Sequence, residues 1–178
     1  MADRETKLVL AHHIGDRTLT DSYAFLDKLN HATCGEFQLT TDGWQGYTTA
    51  VPMTFGRRVH FAQLIKNYEK EQETIRYSPP KIKSIEKVAR FGEPDMSMVS
   101  TSFVENWNLQ LRMSLRRHTR LTNAFSKSLR HHVAMQNVFV AAWNFCRKHG
   151  TLKTSPAIAS GLARAVWSIK ELLANSSR

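Results

Sequence analysis

The chain has 178 residues with 25 Lys and Arg against 15 Asp and Glu, a net charge of +10, and 42% hydrophobic residues including four Trp and nine Phe. That apolar content excludes a wholly disordered tail, and no apolar run reaches the length of a membrane span. The polar, acidic start is unlike a secretory signal. Cys34 and Cys146 lack a Cys-x-x-Cys partner, so the expectation is a protein of the reducing cytoplasm without a disulfide framework or zinc knuckle.

In chain order, residues 7–14 read as a buried strand stopped at Gly15 and Asp16. A helix follows over about 16–32, carried by Leu19, Tyr23, Phe25, Leu26 and Leu29. Cys34 and Gly35 end it, and residues 37–41 form a second strand that delivers Asp42 to a turn at Gly43. Residues 59–65 give a third strand. Residues 66–100, with Pro79 and Pro80, lack a period and read as an irregular insertion. A helix starts near Ser100 to Ser102, with Phe103, Trp107, Leu111 and Leu115 on one stripe. A second starts at Thr122 and Asn123 and runs to about His149. Its Leu129, Val133, Val138, Phe139, Trp143 and Cys146 are expected to pack on the sheet. Thr154, Ser155 and Pro156 cap a short final helix.

This order predicts a mixed α/β layer fold, with one domain over 1–150 and a helical tail over 151–178. An interior strand so near Met1 implies that sheet strands belong upstream of it.

Charge divides the chain. Residues 1–105 hold 13 Lys and Arg against 14 Asp and Glu, whereas residues 106–178 hold 12 against one. Between Glu105 and Glu171 there is no acid at all. Solvated helix faces usually mix signs, so Arg112, Arg116, Arg117, Arg120, Lys127 and Arg130 point to a polyanionic partner. Nothing in them specifies base readout.

Asp42 at a strand tip and Glu105 in the first turn of a helix are the candidate metal ligands, because Mg²⁺ takes a few carboxylate oxygens and leaves room for substrate phosphates. They are expected to face one cleft. The plainer alternatives are a turn former at Asp42 and a capping box from Ser102 to Glu105. At about 100° per residue, Arg112 and Arg116 fall within roughly 20° of Glu105 on a continuous helix. His12 and His13, in an apparent strand, point to packing, as do Trp107 and Trp143 on their apolar stripes.

Leu39-Thr-Thr-Asp-Gly-Trp44, Phe61-Ala-Gln-Leu-Ile-Lys66, Arg76-Tyr-Ser-Pro79 and Ser100-Thr-Ser-Phe-Val-Glu-Asn-Trp-Asn-Leu109 resemble the catalytic half of the insertion-sequence-one type transposases. The most specific segment is Arg116-Arg-His-Thr-Arg-Leu-Thr-Asn-Ala-Phe-Ser-Lys127, and Asn144-Phe-Cys-Arg-Lys-His149 is similar to the family's C-terminal end.

The resemblance implies a ribonuclease-H-like mixed sheet with flanking helices and an Asp-Asp-Glu triad holding two Mg²⁺ ions. Asp42 matches the second Asp and Glu105 the Glu, as catalytic and metal-binding residues. No residue matches the first Asp. The match begins with residues 2–8 at a turn between the family's second and third strands, so the chain reads as a truncated copy lacking two strands. Asp3 falls on a turn position and is no substitute. Two further departures are Asn106-Trp107, where the family usually has Arg-Gln, and Pro52 inside a helix.

The implied activity is Mg²⁺-dependent DNA cleavage and strand transfer. The DNA partners would be element ends and target, and a homo-oligomer is possible. Metal binding is expected to be weakened or lost in this chain. The alternatives are a catalytically inactive DNA-binding remnant, able to inhibit full-length subunits, and an unrelated basic ribonucleoprotein.

Overall fold

The computed structural model describes residues 1–68, 82–119 and 123–176. The chain divides into two compact units, one formed by residues 1–14 with 103–178 and the other by residues 15–102. Among the described residues no helix is long and apolar enough to cross a membrane.

The unit of residues 15–102 is an α/β layer. Helix α1 (Leu19–His31) begins where Thr18 and Asp21 form a reciprocal capping box, and it buries Leu26 and Leu29. Strand β1 (Phe37–Asp42) leads through helix α2 (Gly46–Phe55) to strand β2 (Val59–Tyr68), which lies parallel to β1. Such a pair needs a crossover rather than a tight turn, and α2 supplies it. Pro52 sits inside α2, as the sequence placed it.

Strand β3 (Ile82–Phe91) pairs antiparallel with β2, so the sheet order is β1-β2-β3. The expectation of an irregular 66–100 segment is therefore corrected. Its 66–68 portion extends β2 and its 82–91 portion is a full edge strand, while residues 69–81, with Arg76 and the two prolines, lie outside the described residues. The first part of central β2 is buried at Val59, Phe61, Ala62, Gln63 and Leu64. Ala62 and Leu64 on one face pack with Val99 and Met96.

The unit of residues 1–14 and 103–178 is helical. Helix α3 (Ser102–Ser114) presents the expected stripe: Trp107 and Leu111 are buried and Leu115 packs against their cluster. Helix α4 (Leu129–Phe145) is capped by Ser128, whose side chain accepts from the His131 N–H. It begins later than the Thr122 start read from sequence, because Ser128 rather than Asn123 supplies the cap. Trp107, Leu111, Val140, Trp143 and Val9 form the core of this unit, with Trp107 and Trp143 edge to face at 6.3 Å.

Ser155 caps the short helix α5 (Pro156–Ala159), with Pro at its first position as the sequence indicated. It is not the final helix. Helix α6 (Ile169–Ser176) follows, opened by a reciprocal Ser168–Glu171 pair, and both α5 and α6 pack on α4.

Residues 7–14 do not form the expected buried strand. They carry only an isolated antiparallel bridge between Ala2 and Val9. Asp3 accepts from the Thr6 backbone and hydroxyl within the intervening turn. In such a pair, alternate residues turn their backbone groups outward. Leu8 and Leu10 bond to the 1–3 segment, and Val9 faces the other way. There the side-chain amide of Asn144 on α4 accepts from the Val9 N–H and donates to its carbonyl, both at 3.0 Å. One side chain thus takes the place of a neighbouring strand.

Candidate nucleic-acid interface

The basic segment gathers at the junction of α3 and α4. Arg112 lies in the last turn of α3 and is half-buried; Arg116 and Arg117 are exposed in a 3-10 turn over Arg116–His118. Lys127 and Arg130 are exposed at the entry to α4, and Arg120 lies outside the described residues. The expectation that Arg116 continues the Glu105–Arg112 face is corrected. Leu115 is extended at φ −116° and ψ 105°, so the helical period breaks between Arg112 and Arg116.

A set of hydrogen bonds and ring packing joins these residues instead. Thr119 donates to the Arg112 carbonyl at 3.2 Å. Arg117 donates to Ser126 Oγ at 3.2 Å, and that oxygen lies 2.9 Å from His132 Nδ1. The His118 and His132 rings approach to 4.7 Å. The turn carrying Arg116 and Arg117 is thereby pinned beside the N-terminal end of α4.

The first turn of α4 holds Arg130, His131 and His132 and no acid. Cations there oppose the helix dipole, which favours negative charge at this end. Burial and then the neighbouring His132 lower the His118 pKa, and burial lowers that of His149. The unfolded chain therefore takes up protons first as pH falls through the ordinary value of 6.5. Stability from these groups is complete above that value and declines below it. The urea midpoint is expected to fall between pH 7.5 and 5.5, and to fall less in His118→Gln.

Asp42 stands exposed at the tip of β1, in the unit of residues 15–102. One carboxylate oxygen accepts from the Trp44 N–H at 3.2 Å, which is the turn-forming role. The other meets Arg17 Nη2 at 3.1 Å, a partner that sequence spacing did not reveal. Arg17 lies over the Trp44 ring at 5.0 Å and has a left-handed φ of 58°. Both partners of the ion pair are largely exposed, so it contributes at most about 1 kcal/mol. Beneath the turn, fully buried Gln63 donates to the Asp42 and Trp44 carbonyls and accepts from Arg90. Burial, and then the Asp42 charge, raise the pKa of nearby Tyr47.

Glu105 is exposed in the first turn of α3. Ser102 is the first residue of that helix. Asp42 and Glu105 belong to different units. Among the described residues no three His, Cys, Asp or Glu side chains are grouped to hold a metal. Asp42 is paired with Arg17 and accepts from a backbone N–H. His12 is bonded to Asn137 at 2.9 Å, and Trp107 and Trp143 are core residues, as their sequence positions indicated.

Comparison of the chain with protein-family models, curated proteins and solved structures gives no match.

Proposed function

We propose that the chain binds nucleic acid through the basic surface around the α3–α4 junction, as a DNA-transposition protein of the insertion-sequence-one type. The observation that carries the binding reading is the entry to α4, where Arg130 stands at a positive helix end whose first turn holds no carboxylate. Stability alone disfavours that placement, and a bound phosphate reverses the balance. Arg116, Arg117 and Lys127 extend the same surface. The transposition reading rests on the sequence resemblance.

This proposal separates binding and stability in one variant. Arg130→Glu is expected to stabilise the fold by about 0.3–1 kcal/mol, since it puts an anion at the helix start, while weakening binding to duplexes of every sequence. Thermal denaturation and fluorescence anisotropy check the two effects. Equal DNA affinity in wild type and variant would contradict the reading.

The resemblance also assigns Asp42 and Glu105 to Mg²⁺-dependent cleavage and strand transfer, acting on element ends and target DNA in a bacterial or archaeal cytoplasm, with self-association possible. The second reading is a DNA-binding remnant without cleavage, in which Asp42 keeps its exposed ion pair with Arg17. Incubation of supercoiled DNA with the chain and Mg²⁺ distinguishes them. The remnant reading expects no nicking, and nicking lost in both Asp42→Asn and Glu105→Gln would favour the transposase activity.

A further inference from the structure

A cleft of about 170 Å³ opens within the helical unit, lined on one side by Phe103, Asn106 and Gln110 of α3 and on the other by Arg147, Lys148 and His149 beyond α4. These α3 residues, with Trp107, fall within an arc of about 100°, whereas Glu105 points about 150° from its centre. The cleft is therefore on a different face of α3 from Glu105.

The lining includes no Asp or Glu. Arg147 lies over the Trp143 ring at 4.6 Å and donates to Gln110 at 3.2 Å, which fixes its guanidinium at the cleft. His149 Nδ1 accepts from the Thr151 N–H, leaving Nε2 as a donor, and its lowered pKa keeps the ring neutral near pH 7. Trp107, more than nine-tenths buried in the cleft wall, has an indole N–H without a hydrogen-bond partner, an unspent donor of a kind that folded proteins rarely keep. Trp107 and Trp143 are too buried to offer open ring faces; half-buried Phe103 also lines the cleft, with the Lys7 ammonium over one face of its ring at 4.7 Å and the other face left for a base.

We propose that this cleft holds one unpaired nucleotide of a nucleic-acid strand, with its phosphate at Arg147 and Lys148 and its base against Phe103. The proposal rests on the nucleic-acid reading above and adds a site for single strands. A cleft of this size lies below the few hundred Å³ of drug-sized pockets. It encloses one ring or phosphate group of that nucleotide and leaves the rest at its open mouth, and a paired base cannot enter without leaving its stack. Anion-selective donors beside an aromatic wall are the combination that single-strand sites use.

The test measures anisotropy of labelled single-stranded DNA, single-stranded RNA and duplex DNA with the full chain, wild type and two variants, Phe103→Leu and Arg147→Gln/Lys148→Gln. Near-UV circular dichroism establishes that the variants are folded. Each variant is expected to lose about fivefold or more in single-strand affinity, with a smaller loss on duplex. A loss confined to RNA or to DNA would identify the strand the site takes and support the proposal. Folded variants that bind single strands as wild type does would overturn it while leaving duplex binding intact. Failure of wild type to bind any of the three would overturn both this proposal and the nucleic-acid reading. If the variants lose only inorganic phosphate, measured by chemical-shift titration, the cleft takes a free anion and the proposal fails.

Discussion

Replacing Asn144 with Ala is expected to destabilise the protein by about 2–4 kcal/mol. The change removes two hydrogen bonds of about 1 kcal/mol each and leaves the Val9 N–H and carbonyl without their partner in a buried place. Asn144→Asp tests the geometry more closely. It keeps an acceptor for the Val9 N–H but sets a carboxylate oxygen against the Val9 carbonyl, so it should cost at least as much as Ala. Urea titration monitored by Trp143, which donates to the Lys7 carbonyl, reports both unfolding and release of the N-terminal segment. A loss below about 0.5 kcal/mol for Asn144→Ala would mean that this amide does not anchor residues 7–11.

Gln63→Leu is expected to cost a similar amount, about 2–4 kcal/mol, for a reason tied to Asp42. Leu fills much of the same volume but strips the Asp42 and Trp44 carbonyls of their shared donor and Arg90 of its acceptor. The turn at the end of β1 should then loosen. Proteolysis near residues 42–46, or faster amide exchange at Trp44, checks this beside the equilibrium measurement. Phe61→Leu, a buried apolar shrinkage on the same strand, should reduce stability without selectively exposing that turn.

Asp42 was legible in the sequence because β1 and β2 are bounded by strong breaks and carry β-forming residues, which fix where the strand ends. The α3 stripe was legible for the same kind of reason: Trp107 and Leu111 repeat at helical spacing and are buried. Strand β3 was not, because its Lys83, Glu86, Lys87 and Arg90 lie exposed on a sheet edge. Charged edge strands suppress further pairing and so lack the apolar alternation that identifies inner strands. Residues 7–14 misled in the opposite direction. Their apolar run is buried, but its partner is a side chain 135 residues away, which no local period reveals.

The candidate site divides in the same way. The acid-free charge pattern located Arg116, Arg117, Lys127 and Arg130, while the break at Leu115 that redirects Arg116 depends on tertiary packing. Arg17 gave no warning of its pairing with Asp42, because a loop residue in a left-handed conformation can turn in directions that sequence spacing does not encode. Arg147 did carry a readable sign: it follows Trp143 by four residues, so on a continuing helical turn the two meet.

The measurement that bears most directly on nucleic-acid binding is the salt dependence of duplex affinity for the wild-type chain and for Arg116→Gln/Arg117→Gln/Lys127→Gln/Arg130→Gln. If the α3–α4 junction is the phosphate-binding surface, log K should fall steeply with log salt in the wild type. The fourfold variant should flatten that slope by about one unit for each phosphate no longer neutralised, up to roughly four, and should weaken binding to unrelated sequences alike. An unchanged slope in a folded variant would contradict the account and return these cations to a solvated surface.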